Sequence, residues 1–471
     1  MFMKSRPDRS CTVFVRRGLV CTGLACLLLA HPCFADDWDP PAPNPAKPVN
    51  YIEWINKRFG EGIKANAATV YLQCYTNLEP FDSKWNAILT GQPVDDPALS
   101  DWLAKNRRAL FRFRAAAGMR RCFFRLGFGE ELLSPDQREP PSDERMESSL
   151  FFIPLPYLSL HRAAVKGLVA QGFQEHRKGR PRRLASNCLA ALRSAHHLAA
   201  RNPWAIQHLV AVACARLAYA GLLSGLASAD DPAAMAAEFA PRLSSNDPEL
   251  PTLVTVIRIE ELIAVDQVQR VFVPVPDGAP GEFTSHIGPL RTYLEATGAD
   301  VDNKLVLTIA NQLAALGFEE TTKAARTTFD QIGKWCMAPY HRVMGEADAL
   351  ERSLKDQQNL LVRVFSGSIT RLRAVDELNR TVRRGTHLVF YLYAHKAKNG
   401  EFPEKLDELQ MPNLHRLRVD PFSGKDLVYR KTADGFTLYS VGGNQKDDGG
   451  KHSTDWKDEG DYVIWPIQEE R

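Results

Sequence analysis

The densest concentration of chemically competent side chains lies near the C-terminus. Asn444, Asp447, Asp448, Asp455, Asp458, Glu459 and Asp461 fall within eighteen residues, interspersed with Gly449, Gly450 and Gly460. Clustered carboxylates on a glycine-permissive loop offer the oxygens of a hard cation that takes about 6–8 ligands, so Ca²⁺ is the ion this composition suits. The candidate metal set is Asn444, Asp447, Asp448, Asp455, Asp458 and Asp461. The loop is not an EF-hand, because Lys446 stands where Asp or Asn must follow Asn444. The competing reading is a solvated acidic loop neutralised by its own Lys446, Lys451 and Lys457.

Catalytic constellations are sparser. No GxSxG, HExxH, P-loop or GxGxxG dinucleotide motif occurs. Glu260, Glu261 and Asp266 supply carboxylates for a hydrolase only if two of them face one cleft. Trp335, Cys336, Tyr340 and His341 place a thiol near an imidazole, which needs an exposed thiolate within reach of the base. His196-His197, among alanines, reads as a capped or surface pair sooner than a metal site. The catalytic residues are unknown from sequence, and the reading leans away from an enzyme.

These residues sit on a chain of 471 residues with 59 Lys+Arg, 56 Asp+Glu and 44% hydrophobic residues, which is enough for two or three domains and excludes wholesale disorder. Residues 1–35 have the parts of a secretory signal. Lys4, Arg6, Arg9, Arg16 and Arg17 precede an uncharged apolar run at 18–30, and Cys33-Phe34-Ala35 offers a cleavage site before Asp36. The expected location is periplasmic or extracellular, with membrane attachment only through an uncleaved signal. Losing five basic residues and one acidic residue takes the formal charge from +3 to about −1. No global field then attracts nucleic acid. The basic run from His176 to Arg183 lacks interleaved aromatics and reads as a solvated loop. Five cysteines remain, Cys74, Cys122, Cys188, Cys214 and Cys336, in no CxxC pattern; an oxidising compartment permits one or two disulfides among them.

Residues 36–50 are Pro-rich and read as an extended tether. Apolar residues at helical spacing then mark 65–78, 98–117 and 158–175 as helices, with a Pro- and charge-rich loop at 132–148. The most apolar stretch, 208–226, carries Arg216 near its centre and reads as a buried bundle helix sooner than a membrane span. Residues 272–280 form a Pro-containing break, and 346–398 is nearly free of breakers, which predicts one long helix or two abutting ones.

The period changes after residue 400. Leu378, Val382, Gly385, Val389 and Leu392 keep helical spacing, with Gly385 permitting close packing, and Asn399-Gly400 stops the helix. A short helix follows at 404–409. Strand-like runs at 427–430 and 436–441 join through Asp434-Gly435 as a hairpin, and 462–465 supplies a third strand. The predicted fold class is mostly α: a helical bundle followed by a small C-terminal α+β module, a helix plus an antiparallel meander. The expected divisions are signal 1–35, tether 36–50, helical domain 51–375 and module 376–471.

Three motifs in the module carry a resemblance: Asn399-Gly400-Glu401-Phe402-Pro403, Asp420-Pro421-Phe422-Ser423-Gly424-Lys425, and Phe436-Thr437-Leu438-Tyr439-Ser440-Val441-Gly442. In this order they resemble the periplasmic domain of type II secretion major pseudopilins, over about one fifth of the chain. The resemblance implies calcium in the loop after the last motif. It does not carry over polymerisation into a pseudopilus, because Arg380, Arg383, Arg384 and His387 rule out a membrane-inserted pilin stem in the preceding helix. The helical remainder resembles, more loosely, uncharacterised exported bacterial proteins. The expected function is a non-enzymatic interaction or structural role in the envelope, with envelope or secretion-system proteins as partners. The alternatives are a type II secretion-associated subunit or adaptor, and a hydrolase with its site in the helical domain.

Overall fold

The computed structural model describes residues 38–127, 130–133, 141, 143–201, 204–296, 302–357, 359–365, 369–453 and 459–468. The expected export signal at 1–35 therefore lies outside the described residues. From residue 41 onward the described residues form one compact unit, mostly helical, with two small antiparallel sheets among them.

Its first half is α1 (Tyr51–Gly60), α2 (Ala67–Tyr75), α3 (Pro97–Lys105), α4 (Arg107–Ala117), α5 (Tyr157–Arg177), α6 (Pro181–Ala199), α7 (Ala205–Ala227), α8 (Pro232–Asn246) and α9 (Leu253–Val271). Local chemistry sets these limits. Asn50, Asn66, Asp96 and Asp231 each accept a backbone N–H at the start of their helices, and Pro97, Pro181 and Pro232 occupy first-turn positions that need no donor. The helix expected over 98–117 is two helices. Asn106 ends one and starts the other: its N–H donates to the Trp102 carbonyl and its carbonyl accepts the Leu110 N–H, while its ψ of 4° turns the chain and its side chain bonds the Trp102 carbonyl and the Glu79 N–H.

α7 is long and apolar enough to cross a membrane by composition, yet 67% of its most apolar window is buried among its neighbours. It packs on α5, α6, α8 and a long helix that arrives 140 residues later. An all-round apolar helix belongs in the middle of a bundle, and that is where this one lies.

The 272–280 break is a hairpin of β1 (Phe272–Pro274) and β2 (Phe283–Ser285), with Phe272 opposite Ser285. α10 (Ile287–Ala296) and α11 (Asn303–Met337) follow; α11 is broken at Gly317, where φ is 78°. Next come α12 (Tyr340–Val343), α13 (Ala347–Lys355), α14 (Leu360–Phe365) and α15 (Ile369–Asn399). The breaker-free stretch thus holds three helices, because Asn359 accepts the Val362 N–H and starts a new one. Residues 375 and 376 both lie inside α15, which is continuous from the bundle into the C-terminal module.

α15 stops where expected. Gly400 takes a positive φ of 86° and donates its N–H to the Lys396 carbonyl. The expected 404–409 helix is only a single tight turn at Leu406–Glu408, and α16 (Leu414–Leu417) is a further short helix. The meander is β3 (Val428–Lys431), β4 (Phe436–Ser440) and β5 (Tyr462–Trp465), in the order β3-β4-β5. Leu438 and Ile464 face α15, and Ile464 sits over Gly385, where a Cβ would lie 2.3 Å from its Cδ1.

Residues 41–49 bend at 45–47, where Asn44 accepts the Ala46 and Lys47 N–H groups, and do not hang free. Gln269 of α9 accepts the N–H groups of Asn44 and Val49 and donates to the Val49 carbonyl, while Arg145 donates to the Pro45 carbonyl at 3.0 Å. The described part of the 132–148 loop is pinned the same way: Arg145 also bonds the carbonyls of Gln269, Arg270 and Phe272.

Candidate functional site

The three C-terminal motifs hold one another. Tyr429 donates its hydroxyl to the Pro403 carbonyl at 2.7 Å, tying the start of the meander to the first motif. Asp420 of the second motif is buried, and its carboxylate accepts from Ser440 Oγ at 2.8 Å, Phe422 N–H at 3.0 Å and Val441 N–H at 3.3 Å. Burial pushes the Asp420 carboxyl above its ordinary range, and these donors oppose that push. The Asp420-to-Ser440 bond fixes how the turn docks on the end of β4 and so launches the acidic loop.

Of the six metal candidates, Asp455 and Asp458 lie outside the described residues. The other four share one loop but are occupied by protein donors. Asp447 Oδ1 accepts the Tyr439 hydroxyl at 2.7 Å and the Gly449 N–H at 3.0 Å, while Oδ2 faces Arg430 at 2.7 Å. The Tyr439 hydroxyl, with the Gly449 N–H and Arg430, holds the Asp447 carboxyl below its ordinary range. Asp461 is buried and accepts the N–H groups of Gly450 at 2.7 Å and Asp448 at 3.3 Å, closing the loop on itself. Burial raises its carboxyl despite those bonds. Asn444 donates to Asp448 Oδ2 at 2.8 Å. Among the described residues no group of three or more His, Cys, Asp or Glu side chains is placed to hold a metal ion. The set present does not by itself form a calcium cage.

The acidic loop instead makes a seam with the helical body. Gln445 donates to the carbonyls of His341 at 2.9 Å and Phe422 at 2.8 Å. Phe422 meets Tyr340 edge-on, and the Arg373 guanidinium lies 5.6 Å from the Tyr340 ring centre. His341 therefore packs against the second motif. Burial pushes the Cys336 thiol up to about 11, leaving it protonated and unsuited to nucleophilic attack.

The carboxylates of α9 diverge. Glu260 accepts the Ala205 N–H at 2.8 Å, placing a carboxylate at the N-terminal end of α7. Asp266 is fully buried; it accepts from Leu150 N–H, Gln269 and Arg270 at 2.8–3.0 Å. Burial raises both carboxyls, and Glu261 too, with Arg326 and Arg258 countering at Glu261. Glu260 and Asp266 thus have separate structural partners. His196 and His197 are likewise engaged: His196 with the Glu249 carbonyl, His197 with Tyr71 and the Met119 carbonyl. All five cysteines beyond residue 35 are buried and unpaired, so the disulfides the compartment would permit are not formed.

A further buried polar constellation among the described residues was not anticipated from sequence as a unit. Asp376 of α15 bonds His208 of α7 at 2.9 Å and Arg380 at 3.0 Å, and Arg380 continues to Glu249. Arg373 pairs with Glu377 at 2.8 Å. One turn on, Asp247 gathers Tyr219, Arg383 and His387 at 2.7–3.0 Å. Burial opposes charge on Asp376, but Arg380 and the His208 hydrogen bond hold its carboxyl well below the usual range. The i,i+4 pairs Arg373/Glu377 and Asp376/Arg380 are legible in sequence; their partners on α7 and after α8 are not.

Compared with known proteins, the chain matches no family model, no curated protein and no solved structure.

Proposed function

We propose that the chain is an exported, non-enzymatic envelope protein with an interaction or structural role, its helical body and its pseudopilin-like module acting as one piece. The observation that carries this reading is α15, a single helix that packs against α7 and α8 of the bundle and against β4 and β5 of the meander. Glu260, Asp266, Asp376 and Asp247 are each engaged in tying elements together, which leaves them no free role in turnover. Export rests on the signal-like residues 1–35. A phosphatase reporter that is active only outside the cytoplasm tests it: fused after residue 471, it should be active with residues 1–35 and inactive without them. Hydrolysis of an ester, peptide or glycoside by the purified chain, lost in Glu261→Gln without a change in melting temperature, would overturn the non-enzymatic part.

A second reading, a type II secretion-associated subunit or adaptor, is favoured by the bonded motif pairs Tyr429–Pro403 and Asp420–Ser440 in a helix-then-meander order. Site-specific cross-linking from the exposed Lys446 to pseudopilus components tests it; absence of any such cross-link in secreting cells removes it. Calcium remains a proposal for the 444–461 loop, supported by the clustering of carboxylates and by the resemblance.

A further inference from the structure

Most of the basic run between α5 and α6 is already engaged. Arg177 donates to the carbonyls of Gly91 and Gln92, Lys178 and Arg180 pair with the two oxygens of Glu175, and Arg182 pairs with Glu238. Arg183 is different. It lines a cleft of about 320 Å³ between α4, α5 and the start of α6, together with Arg107 and Arg114. Among the described residues no carboxylate pairs with any of these three guanidinium groups, because Glu175, the one acid in the cleft wall, is already held by Lys178 and Arg180.

The three arginines are brought together by helix geometry. Arg107, Phe111 and Arg114 recur on one face of α4, opposite Gln171 and Glu175 of α5. The floor is apolar, formed by the buried Leu110 and Leu168. Phe111 stands at the rim with 65% of its surface exposed, and the Arg114 guanidinium lies 5.9 Å from its ring centre. Arg114 is partly withdrawn from water, and that burial, with the like charge of Arg183 second, lowers its affinity for its proton. Gln171 accepts from Asn187 through its oxygen, which leaves its amide N–H groups as further donors.

We propose that this cleft binds a phosphate monoester whose organic part is a flat ring. Three planar guanidinium forks offer more donors than the two oxygens of a carboxylate accept, and they match the three terminal oxygens of a phosphate. A dianion relieves the mutual repulsion of the arginines, and the exposed Phe111 face covers the ring. The volume is at the small end of the range for small-molecule sites.

The test uses calorimetric titration of the full chain with phenyl phosphate and, separately, inorganic phosphate. Saturable one-to-one binding of phenyl phosphate is expected, several-fold tighter than inorganic phosphate and weakened at high salt. Arg183→Gln, on an exposed position that folding does not need, should weaken both ligands at least tenfold. Phe111→Ala should erase the preference for the aryl ester while leaving inorganic phosphate binding in place. Arg182→Gln, whose partner lies outside the cleft, should change neither. No saturation at millimolar phenyl phosphate, or binding unaltered in Arg183→Gln, overturns the proposal.

Discussion

His208 and Asp376 stand 168 residues apart in sequence and 2.9 Å apart in the core, Nε2 against Oδ1, with both side chains buried. Because Arg380 and this hydrogen bond keep Asp376 ionised against its burial, Nε2 must carry the proton and donate. The pair joins the middle of the bundle to the helix that supports the C-terminal meander. Asp376→Ala should destabilise the chain by about 3–5 kcal/mol, since it strands a buried donor and removes one anchor of Arg380. The measurement is the urea midpoint at neutral pH; a loss under about 1 kcal/mol would show that His208 finds another partner or water.

Acid should weaken the fold through two other histidines. His161 accepts the Tyr75 hydroxyl on Nδ1 and meets Ser194 on Nε2, and Ser194 itself donates to the Ala191 carbonyl, so the imidazole is neutral with its proton on Nε2. His197 is likewise fixed between Tyr71 and the Met119 carbonyl. Burial, with each site's neighbouring histidine second, holds His161 down to about 3 and His197 to about 4. Their folded values are depressed below about 6.5, so the unfolded chain takes up protons first. The stability they lend is complete above that pH and falls as the pH drops through it. Between pH 6.5 and 5 each should remove about 2 kcal/mol. His161→Asn should halve the slope; equal urea midpoints at pH 7 and pH 5 would refute the assignment.

How far the sequence foretold this arrangement depends on how local each cause is. Caps and periodicity are local, so α5, the end of α15 at Asn399 and all three strands of the meander were legible to within a residue or two. The break at Asn106 was missed because a side chain there bonds its own helix and a distant N–H. The break before α14 was in principle readable from Asn359 as a cap. Partner choice was not readable. Nothing in α9 says that Glu260 turns to α7 while Asp266 turns to Arg270 and Leu150, and nothing near Arg183 says that its neighbours in the basic run are already paired. The role of Gly385, in contrast, followed directly from helical spacing.

Gly385 lets α15 and β5 approach closely, and a methyl group there would collide with Ile464. Gly385→Ala gains up to about 1 kcal/mol of helix propensity but overpacks the contact, and the net effect should be a loss of about 1–3 kcal/mol. Ile464→Ala alone should cost more, about 2–5 kcal/mol, through the cavity it leaves. The double variant should be more stable than the sum of the two losses, because the new methyl fills part of that cavity. A double-mutant cycle by thermal denaturation measures the coupling; simple additivity would mean that the backbone, not Ile464, absorbs the change.

The buried thiols give an independent check on the bundle. Burial raises Cys74 and Cys214 to about 12 and Cys336 to about 11, and pushes Cys122 and Cys188 up as well. A thiol disulfide reagent at pH 8 should leave all five unreacted over minutes in the native chain and titrate five, counted beyond residue 35, in denaturant. Fewer than five in denaturant without reductant would reveal a disulfide.

Calcium is tested on the full chain, because α15 belongs to both the bundle and the module. If Asp455 and Asp458 complete a site with Asn444 and Asp448, an ion at one hundred times its dissociation constant should add about 2.7 kcal/mol, which raises the melting temperature by a few degrees. Asp448→Asn should reduce that shift, while leaving the metal-free melting temperature close to wild type, because Asp448 is exposed and its amide replacement still accepts from Asn444. Asp461→Asn should instead lower the metal-free melting temperature, since the carboxylate that holds the Gly450 and Asp448 N–H groups is weakened as an acceptor. An unchanged melting temperature at millimolar calcium, with Asp461→Asn still destabilised, would mean that the loop is closed by its own backbone donors and that calcium has no part in it.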